Sequence, residues 1–177
     1  IYTVYNTLSL HDALPIFTSP HPAYFNDLLI EAVATLPRVC EHLHLPCQSG
    51  SDRILQAMNR NYTAGQYLAL VARIKARIPE IAFSTDLIVG FPGESEDDFV
   101  ATRRLMDAVG FDQAYIFKYS PRSGTPAAEL ADDVPQAVKE ERNRLLLEDL
   151  AAIVAVRNQA VVGQTREVLV EGPSPRN

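Results

Sequence analysis

Apolar residues recur at helical spacing in three segments of the chain. In the first, they occupy positions i, i+3, i+4, i+7 and i+11, and a T-x-x-Q capping box at Thr63 to Gln66 precedes them. The second follows Ser95, carries three acidic residues in its first turn and ends at Gly110. The third is longer and amphipathic. These patterns predict helices at about 64–78, 96–109 and 136–162, and a shorter helical stretch at 51–59.

Apolar segments with strand character alternate with these helices. Such near-continuous apolar strands are typical of a parallel sheet covered by helices, so the β-α-β-α-β order predicts an α/β fold. Tyr115, Phe117 and Tyr119 alternate along the last strand, which predicts that they face the core. The predicted strands span 41–46, 81–89 and 111–119.

The two ends of the chain stand apart from this pattern. SLHDALPI at positions 9–16 looks like translated sequencing-adapter DNA, so we expect residues 1–16 to be a non-native leader that packs poorly against the remainder. At the other end, Arg166 to Glu171 (REVLVE) has the pattern of a strand. A lone strand needs partners, which predicts that a second domain begins near residue 163.

Composition narrows the class of protein. The chain has 177 residues, 47% of them hydrophobic, which is enough to bury a core. A net charge of −6 excludes a surface that is basic throughout. No apolar run reaches the roughly 20 residues of a membrane span, and residues 1–17 lack the features of a signal peptide, so we expect a cytoplasmic protein. Cys40 and Cys47 fit neither a disulfide framework nor a common metal knuckle, and both are expected to be buried thiols.

Polar residues and glycines follow each predicted strand, where parallel α/β folds place their sites. The loops contain Gln48 to Ser51, Gly90 to Glu94, and Tyr119 to Gly124. Asp86 lies within an apolar strand, and a buried carboxylate requires a partner or a ligand.

Several residues near these loops have more than one interpretation. We expect Glu94 to cap the turn that follows it rather than to contact a ligand. His42 and His44 alternate and so share a face, where two histidines without a third ligand indicate packing or hydrogen bonding rather than a metal. Tyr119 either joins the core or stacks on a substrate base.

Three long segments resemble one family, the radical S-adenosylmethionine methylthiotransferases. They read LHLPCQSGSDRILQAMNRNYTA, STDLIVGFPGESEDDF and FKYSPRSGTPAAE, in that order. The resemblance extends from about Phe17 to Asn177, and it is strongest to the tRNA enzymes that add a methylthio group to isopentenyladenosine beside the anticodon. It implies tRNA as the partner of the full-length enzyme, no membrane association and a monomer.

The resemblance also implies a fold and a domain division. The family has a (β/α)6 partial barrel of the TIM type, followed by a β-rich, RNA-binding TRAM domain. Residues 17–162 would then form the second half of the barrel together with a long helix. Residues 163–177 would begin a truncated TRAM domain with its first strand.

The family uses S-adenosyl-L-methionine and two [4Fe-4S] clusters. Radical enzymes of this kind place a Gln, an Arg and an Asp around the cofactor, and the corresponding positions here are Gln48, Arg60 and Asp86. The Gln and Asp would bind the ribose hydroxyls and the Arg the methionyl carboxylate, with Gly90 passing along the adenine. The alternatives are an Asp86 satisfied by backbone amides and an Arg60 exposed at a helix end.

The chain departs from the family where the cluster ligands would be. It contains no C-x-x-x-C-x-x-C, so we expect the fragment itself to be inactive and to bind no cluster. Two alternatives to the first tRNA enzyme remain. One is a sister methylthiotransferase that acts on threonylcarbamoyladenosine in tRNA or on a ribosomal-protein aspartate, and the other is a non-catalytic RNA-binding remnant.

Overall fold

Helices and strands alternate along residues 19–165, the part of the chain that the computed structural model describes. In chain order the elements are α1 (Asp27–Thr35), β1 (His42–His44), α2 (Asp52–Ala57), α3 (Ala64–Arg77), β2 (Ala82–Val89), α4 (Glu96–Val109), β3 (Gln113–Lys118) and α5 (Gln136–Ala160). Short 3-10 turns occur at Pro22–Tyr24 and Pro126–Glu129. The predicted leader at 1–16 and the predicted strand at 166–171 lie outside the described residues.

The three strands form a parallel sheet in the order β1-β2-β3, as predicted. β1 is shorter than expected, whereas β2 and β3 lie within their predicted ranges. The ladder between β1 and β2 also changes register. His44 pairs with Ser84 but Gln48 pairs with Leu87. The chain that continues β1 therefore takes four residue steps where β2 takes three. One extra residue opposite the same length of partner strand is the pattern of a β-bulge, and it falls between His44 and Gln48.

Local capping signals fix the helix ends where the sequence predicts them. The Thr63 hydroxyl accepts the Gln66 backbone N–H while the Gln66 side chain accepts the Thr63 N–H, and Ser95 and Asp98 form a second such box. Gly110 ends α4 at φ 65°, a left-handed conformation that suits glycine. Three helices end slightly earlier than predicted: α2 at Ala57 rather than 59, α3 at Arg77 rather than 78, and α5 at Ala160 rather than 162.

Helix α1 lies where the hydrophobic pattern gave no prediction. The Asn26 side chain caps it by accepting the Leu29 backbone N–H at 3.1 Å. Ile30 and Val33 on this helix are buried in the core. Leu28 and Leu29 are apolar but exposed, so apolar residues occupy several faces of this short helix and no clear helical period marks its buried side.

One face of the sheet forms the core. Leu43, Phe83, Leu87 and Val89 are buried there against apolar side chains of the helices. The prediction that the alternating aromatics of β3 face this core is wrong for Tyr115 and Phe117, which are 39% and 53% exposed. Their positions pair with Asp86 and Ile88 on β2, so they share the opposite, open face.

The two cysteines differ in environment. Cys47 is fully buried, as expected, and burial raises the pKa of its thiol to about 12. Cys40 is exposed, which corrects the prediction that both thiols are buried. It precedes β1 in a segment that is neither helix nor strand. Among residues 19–165, no helix combines the length and apolarity that crossing a membrane demands.

Candidate functional site

Asp86 lies on the open face of β2, and its partner is a histidine. Its Oδ2 is 3.3 Å from Nε2 of His44, whose Nδ1 is 2.9 Å from Oγ of Ser84. The same Ser84 hydroxyl is 3.1 Å from Nε2 of His42. The prediction that the two histidines make hydrogen bonds is therefore confirmed. Among residues 19–165, no backbone amide donates to the carboxylate of Asp86, which was the alternative considered for it.

The carboxylate of Asp86 keeps capacity for a ligand. Its side chain is 29% exposed, so it is less buried than an apolar strand suggested. Within the described residues, Oδ1 has no hydrogen-bond donor. A carboxylate with one oxygen held by an imidazole and the other open can accept a hydroxyl from solvent or from a bound molecule.

Gln48 lies beside Asp86 through the backbone. Its N–H donates to the Asp86 carbonyl at 2.8 Å, and its own carbonyl accepts the Ile88 N–H at 2.9 Å. It has φ 70°, an uncommon conformation for a residue with a side chain, which costs about 1–3 kcal/mol and is concentrated at functional sites. The residue is 6% exposed, and its side-chain amide makes no hydrogen bond to any part of residues 19–165.

Buried hydroxyls hold the segment that leads into Gln48. The Tyr67 hydroxyl donates to the Leu45 carbonyl at 2.8 Å, and the Tyr62 hydroxyl donates to the Cys47 carbonyl at 2.9 Å. The Cys47 N–H donates to Oγ1 of Thr85 at 2.9 Å. These contacts satisfy backbone groups that the irregular strand end leaves unpaired.

The rest of this loop is fastened to α4. The Gly50 N–H donates to Oγ1 of Thr102 at 2.9 Å, and the Ser51 hydroxyl donates to Oδ1 of Asp98 at 2.5 Å. Arg53 forms an ion pair with the same carboxylate. Burial opposes ionisation of Asp98, but hydrogen bonds from Arg53, Ser51 and Ser95 together hold its pKa well below the usual range.

The turn after β2 is held by Glu94. Gly90 has φ 71°, and its N–H donates to Oε2 of Glu94 at 2.7 Å. Glu94 therefore holds the turn that precedes it, which corrects the prediction that it caps the turn that follows, where Ser95 and Asp98 form the cap. Its side chain is only 1% exposed. A Cβ at Gly90 would collide with Cγ of Lys139, so packing alone already requires a glycine. Because its N–H is engaged, Gly90 has only its carbonyl and its bare Cα to offer a ligand.

Within residues 19–165, the side chain of Arg60 forms no hydrogen bond or ion pair with Gln48, Asp86 or Gly90. It follows α2, where its backbone N–H donates to the Leu55 carbonyl at 2.8 Å. Its charge lowers the pKa of His21, although burial of the imidazole contributes more. Among residues 19–165, its half-buried side chain forms no ion pair.

Tyr119 has a structural role at the end of β3. Its hydroxyl donates to the Ala127 carbonyl at 2.7 Å. Its ring centroid is 5.1 Å from that of Phe91 in an edge-to-face contact, and Nζ of Lys139 lies 5.2 Å from the same centroid. These contacts favour packing over stacking on a substrate base.

Neither cysteine suits a cluster. Residues 19–165 hold no group of three or more His, Cys, Asp or Glu side chains placed to bind a metal ion. Cluster ligation requires a thiolate, and the raised pKa of Cys47 keeps that sulfur protonated, with its S–H donating to the Ser49 carbonyl at 3.3 Å.

Comparison with known proteins gives consistent matches. Residues 11–106 match the model of the radical SAM superfamily. Relatives described as tRNA-2-methylthio-N(6)-dimethylallyladenosine synthase are 54% identical over 157 residues in Opitutus terrae, 55% over 154 in Mycolicibacterium vanbaalenii and 50% over 160 in Coxiella burnetii. These alignments cover 89%, 87% and 90% of the chain, but 33%, 30% and 36% of the respective relatives.

The chain thus spans about a third of the length of the curated relatives it matches. The family model covers more than half of the 177 residues and includes β1, β2 with Asp86, and the loops that carry Gln48 and Gly90. The chain belongs to the radical SAM superfamily.

Proposed function

We propose that this chain is part of a cytoplasmic tRNA methylthiotransferase that adds a methylthio group to C2 of N(6)-isopentenyladenosine beside the anticodon. The observation that carries the proposal is about 50% identity over nearly the whole chain to synthases named for this modified nucleoside. The sister reactions, on threonylcarbamoyladenosine or on a protein aspartate, are outcomes that the test distinguishes.

In this proposal the parallel sheet is the second half of a (β/α)6 partial barrel. Two features support the arrangement: the described helices cover one face only, and the opposite face carries polar and aromatic side chains that are partly exposed. Barrel enzymes place their chemistry at the carboxyl ends of the strands, which is where Gln48 and Gly90 lie. Residues 163–177 would lead into the TRAM domain.

The residues at this edge fit S-adenosyl-L-methionine. The open Oδ1 of Asp86 and the unpartnered amide of Gln48 would hydrogen-bond the ribose hydroxyls, and their backbones are already fixed to each other. Gly90 would let the adenine approach the turn through its bare Cα. Arg60 would bind the methionyl carboxylate. This assignment rests on the resemblance alone, because within residues 19–165 Arg60 has no direct contact with Asp86. When bound, the cofactor supplies the radical chemistry of the superfamily.

The iron-sulfur clusters do not fit this chain, and we assign no cluster ligand in it. Two cysteines cannot supply three thiolates, and Cys47 is protonated and enclosed. The chain by itself should therefore be inactive. After anaerobic reconstitution it should retain no stoichiometric iron and sulfide. Cluster absorbance that disappears on Cys40→Ser or Cys47→Ser would contradict this expectation.

The function is tested by mass spectrometry of tRNA nucleosides from cells that carry or lack the gene encoding this segment. We expect 2-methylthio-N(6)-isopentenyladenosine in the first cells and the unthiolated nucleoside in the second. A methylthio group that appears instead on threonylcarbamoyladenosine would assign the sister reaction. No difference in either nucleoside would contradict a tRNA methylthiotransferase.

A further inference from the structure

Two cationic side chains of α5 are buried beneath the turn that follows β2. Lys139 and Arg142 are 2% and 6% exposed, although most lysines and arginines lie at protein surfaces. Being three residues apart, they project from the same side of the helix. Both reach the segment from Gly90 to Glu94.

Arg142 contacts this turn through Glu94. Its Nη1 donates to Oε2 of Glu94 at 2.7 Å and to the Glu94 carbonyl at 3.2 Å, while Nη2 lies 3.2 Å from Oε2 of Glu96. The same Oε2 of Glu94 accepts the Gly90 N–H at 2.7 Å. One carboxylate oxygen therefore links the α5 guanidinium to the Gly90 backbone.

This buried pair is poorly suited to stabilising the fold. Oε1 of Glu94 and Nε of Arg142 are buried without a hydrogen-bond partner among the described residues. Incompletely satisfied buried ion pairs often contribute less stability than apolar residues of the same volume, but they can fix one arrangement of the groups they join. We therefore expect the pair to fix the position of the turn rather than to add stability.

Lys139 holds the same turn from below. Its Nζ donates to Oδ1 and Oδ2 of Asp132 at 2.5 and 2.7 Å, and its methylene stem fills the space next to the Gly90 Cα. Asp133 accepts the Gly93 N–H at 2.7 Å. Helix α5 and the acidic segment before it thus support the turn from one side.

We propose that Arg142 is a positioning residue for the cofactor turn, acting through Glu94 to set where the Gly90 backbone lies. The inference rests on the proposed function, because that function places the adenine next to Gly90. Arg142 itself would touch neither cofactor nor substrate. Arg144 is a suitable control, because it is half-exposed on the same helix and pairs with Glu141 and Glu148 of α5 itself.

The Gly90 amide provides a direct test in the full chain. Its proton resonance in NMR should follow the ionisation of Glu94, which accepts its hydrogen bond. The pKa of Glu94 is raised, mainly by burial and to a smaller extent by the charge of Asp98. The Gly90 N–H and Arg142 act in the opposite direction and lower it. Arg53 is a further charge near Glu94. In Arg142→Met the titration midpoint of the Gly90 amide should move to higher pH, and in the control Arg144→Met it should not move.

Glu94→Gln keeps the test decisive if Arg142→Met does not fold. The glutamine preserves the shape of the side chain and its acceptor oxygen, so Gly90 should lose its pH response while the protein remains folded. A Gly90 titration that persists in Glu94→Gln, or an unchanged midpoint in folded Arg142→Met, would overturn the proposal.

Isothermal titration with S-adenosylmethionine supplies the functional arm. If the wild-type chain binds the cofactor, Arg142→Met should bind it roughly tenfold more weakly, the loss expected for about one displaced hydrogen bond, and Arg144→Met should match the wild type. Equal affinities in all three would overturn the positioning role. A wild-type chain that shows the Gly90 titration but binds no cofactor would instead count against the proposed cofactor site.

Discussion

The two faces of the sheet are built from the same three strands but serve different purposes. On the covered face, Phe83 and Leu87 are sealed beneath helices. On the open face, the neighbouring positions of β2 carry Ser84 and Asp86, joined to His44 by hydrogen bonds. Successive residues of a strand point to opposite sides of the sheet. Residues on the covered face therefore contribute mainly to stability, and residues on the open face are available for binding. Substitutions that differ only in face can therefore divide the two roles.

The largest difference should come from removing the same side chain on each face. Phe83 is 1% exposed, so Phe83→Ala should lower the free energy of unfolding by about 3–5 kcal/mol. Phe117 is 53% exposed, and Phe117→Ala should cost less than about 1 kcal/mol. Urea denaturation of the two variants measures both values. Equal losses would mean that the open face is packed as tightly as the core.

The next effect concerns a carboxylate on the covered side. Asp98→Asn should lower the free energy of unfolding at pH 7 by about 1–3 kcal/mol, since the lost charge accepts hydrogen bonds from Ser51, Ser95 and the partly exposed Arg53. Because the folded-state pKa of Asp98 is depressed, its contribution is present above the ordinary carboxyl value of 3.8 and is lost as the pH falls toward the folded-state pKa.

Denaturant melts from pH 7 to pH 2 check the sign. The wild type should lose stability more steeply than Asp98→Asn below about pH 4. Asp97→Asn, an exposed neighbour in the same helical turn, is the matched control and should follow the wild-type slope. Parallel slopes for all three proteins would contradict the role given to Asp98.

The corresponding change on the open face should affect binding more than stability. Asp86 is part-exposed, and in Asp86→Asn the amide oxygen can still meet His44, so the free energy of unfolding should change by less than about 1 kcal/mol. If Asp86 binds the ribose hydroxyls, S-adenosylmethionine affinity in the full-length enzyme should fall roughly ten- to hundredfold. Calorimetric titration alongside denaturant melts separates the two. An unchanged dissociation constant with a lowered unfolding midpoint would reject the ribose assignment.

The smallest effect on stability is expected at Cys40. In the native chain a disulfide reagent should label Cys40 rapidly and leave the free energy of unfolding unchanged, because this thiol is exposed. Cys47 should react only on unfolding, since burial raises its pKa to about 12 and excludes the reagent. Cys40→Ser should abolish the rapid phase and Cys47→Ser should preserve it. A second thiol that reacts rapidly in the native state would show that the core opens near Gln48.

What the sequence predicts well is local. The capping boxes at Thr63 and Ser95, the glycine at position 110 and the parallel order of the strands all depend on residues a few positions apart, or on the alternation of elements along the chain. Helix α4 accordingly has the predicted bounds.

The candidate site is less predictable because its contacts join distant residues. The Asp86 partner lies 42 residues earlier, and the Glu94 partner lies 48 residues later. A histidine alternating on a strand with another histidine hinted at the first contact. For the second, an arginine on an amphipathic helix gave no sign that it would be buried, since arginines on such helices are usually solvated. The aromatic alternation on β3 misled for a related reason, since a period of two marks a shared face but not which face is covered.

The bulge before Gln48 makes the length of this segment as important as its composition. Four steps along the first strand, from His44 to Gln48, run beside three along the second, from Ser84 to Leu87. Deleting any one residue between His44 and Gln48 would make the two strands match residue for residue. Gln48 would then move to the position that Cys47 now occupies. The tyrosine hydroxyls that hold Leu45 and Cys47 would then meet the wrong carbonyls. Related sequences can vary in side chains at this strand end, but insertions and deletions there are expected to be selected against.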